Sequence, residues 1–282
     1  MGRRKRERRS TKGESQATGA SNTFQRRLLG TILLAVALAV AMGTVGGALL
    51  FRSLSSSDDA ATGPRTAIIV DQLSLTQPNM GFVVEAIGLL KDAGYEVEYA
   101  FGEEVTVDFY RNLPVFGYDI IIFRVHSGII NIVDGSNKTR TEFVGLFTGE
   151  PYSEGKYPEE RAGHLAKASY YTGGGPPMFG ITPAFVLHSM RGDFDGAMIV
   201  MMGCDGLRSQ VTAEAFLDKG ASAFVSWSLP VSASHTDAAT QRLLEKLLIE
   251  GLDTEEAVSR TATEVGPDPQ YGAELRVLAD GG

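Results

Sequence analysis

Between Arg27 and Arg52 the chain runs for 24 residues without a charge, LLGTILLAVALAVAMGTVGGALLF. About 20 apolar residues in a helix cross a hydrocarbon core of ~30 Å, so residues 28–51 are long enough to span a bilayer. The 27 residues before them hold nine Lys or Arg against Glu7 and Glu14, a net charge of +7. Basic flanks stay on the cytosolic side, which orients the segment and sends the rest of the chain to the opposite face. A cleaved signal peptide is the rival reading, because Ala39, Ala41 and Gly43 suit a signal peptidase. The apolar run, however, outlasts an h-region of about 7–15 residues. The expected organisation is a basic cytosolic tail over 1–27, a transmembrane helix over 28–51, a small and polar linker over 52–65, and an extracytoplasmic domain over 66–282. The lipid bilayer is then one partner. With −8 on the whole chain, the part beyond the tail carries −15, which argues against nucleic acid as another.

From Thr66 onward, short apolar runs alternate with segments of helical period. Strands are expected at 66–70, 95–100, 118–125, 197–202 and 221–227. Helices are expected at 79–93, 106–113, 182–190, 209–219, 235–250 and 254–265. This alternation predicts an α/β three-layer sandwich, a mostly parallel central sheet between layers of helices. The runs DIIIF and AMIVMM are apolar without alternation, as strands buried on both faces are, whereas YEVEYA alternates and belongs near an edge. Between Ile129 and Pro183 the density of Gly and Pro, including YYTGGGPPMFG, reads as a long loop. Asn137-Lys138-Thr139 within it is an N-x-T glycosylation sequon.

Two of the expected strands end in reactive groups. IIIFRV leads into His126-Ser127-Gly128, and AMIVMM into Gly203-Cys204-Asp205-Gly206. Neighbouring strands lie about 4.8 Å apart, so if these two are adjacent the imidazole and the thiol come within reach of one another. A histidine that takes or shares a thiol proton makes a nucleophile at neutral pH, and Gly203 and Gly206 leave room nearby for a substrate carbonyl. Cys204 is the one cysteine of the chain, so it forms no intrachain disulfide. The bland reading is a buried, inert thiol and a histidine bonded locally.

At these residues the sequence resembles the caspase-like cysteine peptidases, the group that includes gingipains, clostripain, separases and bacterial CHAT domains. Their pattern is an apolar strand followed by His-Gly, and a later one followed by Gly-Cys or Ala-Cys. IIIFRVHSG matches the first block and AMIVMMGCDG the second, and AEAFLDKGASAFVSWSLPVS is similar to the CHAT continuation. The resemblance covers roughly 119–262 with the middle unmatched. It implies a caspase-like fold and peptide-bond hydrolysis through a thioester, with Cys204 as nucleophile and His126 as base or acid. Backbone N–H groups at Ser127, Gly128 and Cys204 would form the oxyanion hole, and no cofactor or metal is implied. Ser127 departs from the pattern by standing where the family has glycine. The same resemblance maps the S1 pocket loosely to 225–229, placing Trp227 and Ser228 near it. An acid at its base would favour Lys or Arg in the substrate; Asp205 is the nearest acid in sequence, with Asp193 and Asp195 as others.

His164, His188 and His235 show no spacing that gathers a zinc ion, and His235 precedes a helix start where capping by Thr236 or Asp237 is the simpler account. The triple glycine 173–175 does not join a strand to a helix, and no Lys-Ser or Lys-Thr follows it, so nucleotide binding is not expected. The leading expectation is a membrane-anchored extracytoplasmic cysteine endopeptidase acting on a peptide or protein substrate. Two alternatives stand beside it: a catalytically silent caspase-like module that binds a peptide or partner at the cell surface, and a flavodoxin-like small-molecule-binding domain in which His126 never faces Cys204.

Overall fold

The computed structural model describes residues 63–133, 139–160, 162–170 and 175–279, all within one unit, Ala60–Gly282. The expected tail, transmembrane helix and most of the linker lie outside the described residues, as does Asn137 of the sequon. Among the described residues no helix is long and apolar enough to cross a membrane.

The central sheet has six strands: β1 (Thr66–Asp71), β2 (Glu96–Phe101), β3 (Ile120–Phe123), β8 (Met198–Met201), β9 (Ala223–Trp227) and β10 (Leu275–Ala279), in the order β10-β9-β8-β3-β1-β2. The first five pair in parallel and β10 joins antiparallel at the edge. From β2 to β9 this is the 2-1-3-4-5 order of doubly wound sheets, in which ligands gather beyond the carboxyl ends of the strands where the winding reverses. The reversal here falls between β1 and β3. The alternating strand β2 lies at an edge and the unbroken apolar strands β3 and β8 form the central pair, as their patterns predict.

The helices are α1 (Met80–Asp92), α2 (Val107–Asn112), α3 (Pro183–His188), α4 (Val211–Asp218), α5 (Ala233–Leu248) and α6 (Thr254–Val265). They cover both faces. Ile120, Ile122, Val200 and Met202 pack with Phe82 and Ala86 of α1, Leu243 of α5 and Val258 of α6. Ile121, Phe123, Ile199 and Met201 pack on the other side with Tyr110 of α2, Phe185 of α3 and Phe216 of α4. Successive strand residues point to opposite faces, and both faces are covered, which is why these strands show no polar alternation. Side-chain oxygens of Asn79, Thr106, Thr182 and Asp253 accept N–H bonds that open α1, α2, α3 and α6.

The stretch from Ile129 to Pro183 corrects the loop expectation. It belongs to a second, antiparallel sheet of order β4-β5-β7-β6, formed by β4 (Ser127–Val133), β5 (Thr139–Pro151), β6 (Leu165–Ala168) and β7 (Met178–Ile181). Three of its glycines, Gly145, Gly149 and Gly180, mark close approach rather than turns. A Cβ on Gly149 would fall 1.9 Å from the Gly102 carbonyl oxygen, and one on Gly145 would fall 2.9 Å from Ile130 Cδ1. Gly and Pro density therefore imitated a loop where strands press against neighbours.

Gly149→Ala must displace backbone, and overpacking of this kind costs about 1–3 kcal/mol. Urea denaturation is expected to show that loss for Gly149→Ala and almost none for Gly155→Ala, whose Cβ would meet open space.

Candidate active site

Strands β3 and β8 are parallel neighbours, with Phe123 paired to Met201. His126 and Cys204 each lie three residues beyond that pair, past the ends of both strands. The two chain ends are stitched together: the Met202 N–H donates to the Phe123 carbonyl at 2.9 Å, and the Ser127 hydroxyl donates to the Cys204 carbonyl at 2.6 Å. Gly203 is glycine because there is no space for more. A Cβ there would meet Ser127 Oγ at 2.4 Å and the Val125 carbonyl oxygen at 2.7 Å, and one on Gly206 would meet Ser226 Oγ at 2.1 Å. The room expected beside these two glycines for a substrate is thus occupied by the protein itself.

Beneath the histidine lies a buried ion cluster. Arg124, at 1 % exposure, donates from Nε and Nη2 to the two oxygens of Asp237 at 2.8 and 3.0 Å. It also donates from Nη1 to Asp71 at 2.9 Å and from Nη2 to the Gln77 carbonyl at 2.9 Å. Asp71 further accepts from the Ser74 N–H and the Tyr99 hydroxyl, and Asp237 from Asn79 Nδ2. Asp237 thus holds Arg124 rather than capping α5. The Gln72–Leu75 turn after β1 is fixed against β3 by the Leu73 N–H on the Arg124 carbonyl, 3.0 Å.

That turn supplies the partners of His126. Gln72 Oε1 accepts the His126 N–H at 3.0 Å, and Thr76 Oγ1 lies 2.8 Å from His126 Nε2. The imidazole packs against Phe147 and edge-on against Tyr170, ring centroids 5.8 and 5.1 Å away, and the Tyr170 hydroxyl accepts from Gln72 Nε2. Burial, helped by the nearby Arg124 charge, lowers the imidazole pKa below the ordinary histidine value, which favours the neutral ring.

Cys204 is half-buried. Its sulfur lies 3.5 Å from the Val231 N and 3.7 Å from the Val231 carbonyl oxygen. Burial raises the thiol pKa, the Val231 backbone opposes that rise, and the charges of Asp205 and Asp268 add to it. The surroundings of the thiol and those of the imidazole thus each favour the uncharged form. Asp268 anchors the loop around the thiol, accepting from the Ser232 N–H and hydroxyl and from the N–H groups of Gln270 and Tyr271.

Of the expected oxyanion donors, Ser127 and Gly128 open β4, an edge strand. The Phe147 N–H donates to the His126 carbonyl, which sets the pairing phase: Gly128 turns its N–H toward Gly145, and Ser127 turns its own away from β5. The expected substrate contacts lie elsewhere. Trp227 is 1 % exposed in the core, its indole N–H on Thr236 Oγ1. Ser228 is buried against the start of β10, its hydroxyl accepting from the Glu274 N–H. Asp205 is buried in a left-handed conformation with φ 62°. Its Oδ1 lies 3.7 Å from Arg208 Nη1, an ion pair without a hydrogen bond. Asp193 is exposed near Lys219, and Asp195 forms a left-handed turn, φ 50°. His235 packs at a tilt against Trp227, and His164 against His188.

Residues that the sequence reading passed over are Arg124, Asp71, Asp237, Gln72, Thr76 and Asp268. One signal was present: an arginine inside the otherwise apolar run IIIFRV needs buried counter-charges. No protein-family model matches the chain, and no curated protein sequence matches it either.

Two outcomes follow from this geometry. Arg124→Met leaves Asp71 and Asp237 buried without their cation, a loss of about 3–5 kcal/mol, to be read as a fall in the urea midpoint; Arg276→Met, in an exposed pair, is expected to change it little. Alkylation of Cys204 by iodoacetamide is expected to accelerate with pH around a midpoint above the ordinary thiol value, because the fold favours the protonated sulfur; a midpoint below that value would contradict the assigned surroundings.

Proposed function

We propose that this chain is a membrane-anchored, extracytoplasmic cysteine endopeptidase of caspase-like type, with Cys204 as nucleophile and His126 as general base and acid. The observation that supports the reading is the adjacency of β3 and β8, whose in-register ends lead into His126 and Cys204, with Ser127 bonded to the Cys204 carbonyl. The basic tail over 1–27 and the uncharged stretch over 28–51 support the anchor and its orientation.

In this reading Thr76 orients the imidazole through Nε2, leaving Nδ1 to take the thiol proton. The sulfur attacks the peptide carbonyl carbon, and the developing oxyanion is met by backbone N–H groups, with Ser127 favoured by its outward turn. The imidazolium returns its proton to the leaving amine as the C–N bond breaks. Water, deprotonated by the same nitrogen, then hydrolyses the thioester. A raised thiol pKa means that proton transfer accompanies attack instead of preceding it.

The same pKa favours a second reading, a catalytically silent module that binds a peptide or partner at the cell surface. The Cys204 sulfur is engaged by Val231 and the His126 Nε2 by Thr76, each with a partner other than the other.

Hydrolysis of a mixed peptide library by the full chain separates the two. Turnover is expected for the wild type, none for Cys204→Ala, and roughly 10²–10⁴-fold less for His126→Ala. A folded wild type that cleaves nothing, with Cys204 inert to alkylation, would establish the binding module instead.

A further inference from the structure

Four large apolar side chains, Leu75, Phe101, Leu229 and Tyr271, stand exposed beyond the carboxyl ends of the strands that flank the central pair β3 and β8. Leu75, 41 % exposed, closes the turn after β1 directly before Thr76, the residue bonded to His126. Phe101, 45 % exposed, ends β2; a Cβ on the adjoining Gly102 would lie 3.2 Å from Leu75 Cδ2, so the two apolar groups share one corner. On the Cys204 side the Leu229 carbonyl accepts the Asp205 N–H at 3.1 Å. Two residues further on, Val231 holds the thiol. Tyr271 donates its N–H to Asp268, whose other oxygen holds Ser232, and both Leu229 and Tyr271 remain exposed.

The carboxylates nearest the two reactive groups are already engaged. Asp71 and Asp237 bind Arg124, Asp268 accepts four hydrogen bonds, and Asp205 is buried beside Arg208. Among these four, a cationic side chain entering between the reactive groups meets a carboxylate atom without a hydrogen bond only at Asp205 Oδ1, which Arg208 already faces with the same charge. Glu103 and Glu104 stand beyond Phe101, and the Glu104 carboxylate accepts the Phe101 N–H. What the rim offers on both sides of the reacting position is apolar area, which is unfavourable to leave in water and favours an apolar occupant.

Resting on the peptidase reading of this site, we infer that its ligand is an extended polypeptide segment with large aliphatic or aromatic side chains on both sides of the reacting bond. One side chain seats against Leu229 and Tyr271, the other against Leu75 and Phe101. The preference is for apolar residues, not for the Lys or Arg that an acidic pocket would select.

Binding to the full chain carrying Cys204→Ala tests this without requiring turnover. Three fluorescein-labelled peptides are compared by anisotropy: one with Leu and Phe flanking the central bond, one with Lys at both positions and one with Glu. The apolar peptide is expected to bind about tenfold or more tightly than either charged one, a discrimination within reach of apolar pockets. Leu229→Glu and Phe101→Glu, both at exposed positions with the thermal melt as a folding control, are each expected to lose about tenfold. Equal affinities, tightest binding of a charged peptide, or unchanged affinity in both variants would overturn the inference. Incubating the same peptides with the wild type keeps the two readings apart: an apolar peptide bound but not cut removes the peptidase and leaves the apolar ligand, whereas cutting without apolar preference does the reverse.

Discussion

The buried guanidinium of Arg124 is the interaction on which the upper end of the sheet depends. A charge in that position costs several kcal/mol unless compensated, and here one cation draws together the end of β1, the Gln77 carbonyl and a carboxylate of α5. Because Arg124 lies two residues before His126, the same bonds that neutralise it also fix the turn carrying Gln72 and Thr76. The imidazole is placed by its backbone N–H, by its Nε2 and by two aromatic rings. Its position is set by the turn after β1 and by the two rings packed against it.

The thiol is placed by a separate set of contacts. Val231 touches the sulfur, Ser232 follows it, and Asp268 binds Ser232 from the loop before β10. These two supports, one around Arg124 and one around Asp268, meet at the in-register ends of β3 and β8. Each favours the neutral form of the group it surrounds.

Much of this was legible in the residues. Unbroken apolar runs identified the two central strands, and the motifs at their ends proved to be neighbours because non-alternating strands belong in the middle of a sheet covered on both faces. The second sheet was not legible, since Gly145, Gly149 and Gly180 look like loop punctuation until the atoms pressing on them are known. The resemblance draws Trp227 and Ser228 toward the site, yet the indole N–H of Trp227 is taken by Thr236 of α5 and the Ser228 hydroxyl by the start of the antiparallel edge strand. Arg124 was visible as an anomaly, but its partners lie 53 and 113 residues away in sequence, and no local pattern announces them.

His126 is followed without a spacer by β4. The second sheet therefore begins where His126 ends, while Cys204 follows β8 of the central sheet, so the two residues hang from different sheets. The Ser127 hydroxyl on the Cys204 carbonyl is the clasp at that joint, which gives a purpose to a side chain that would otherwise only crowd the site.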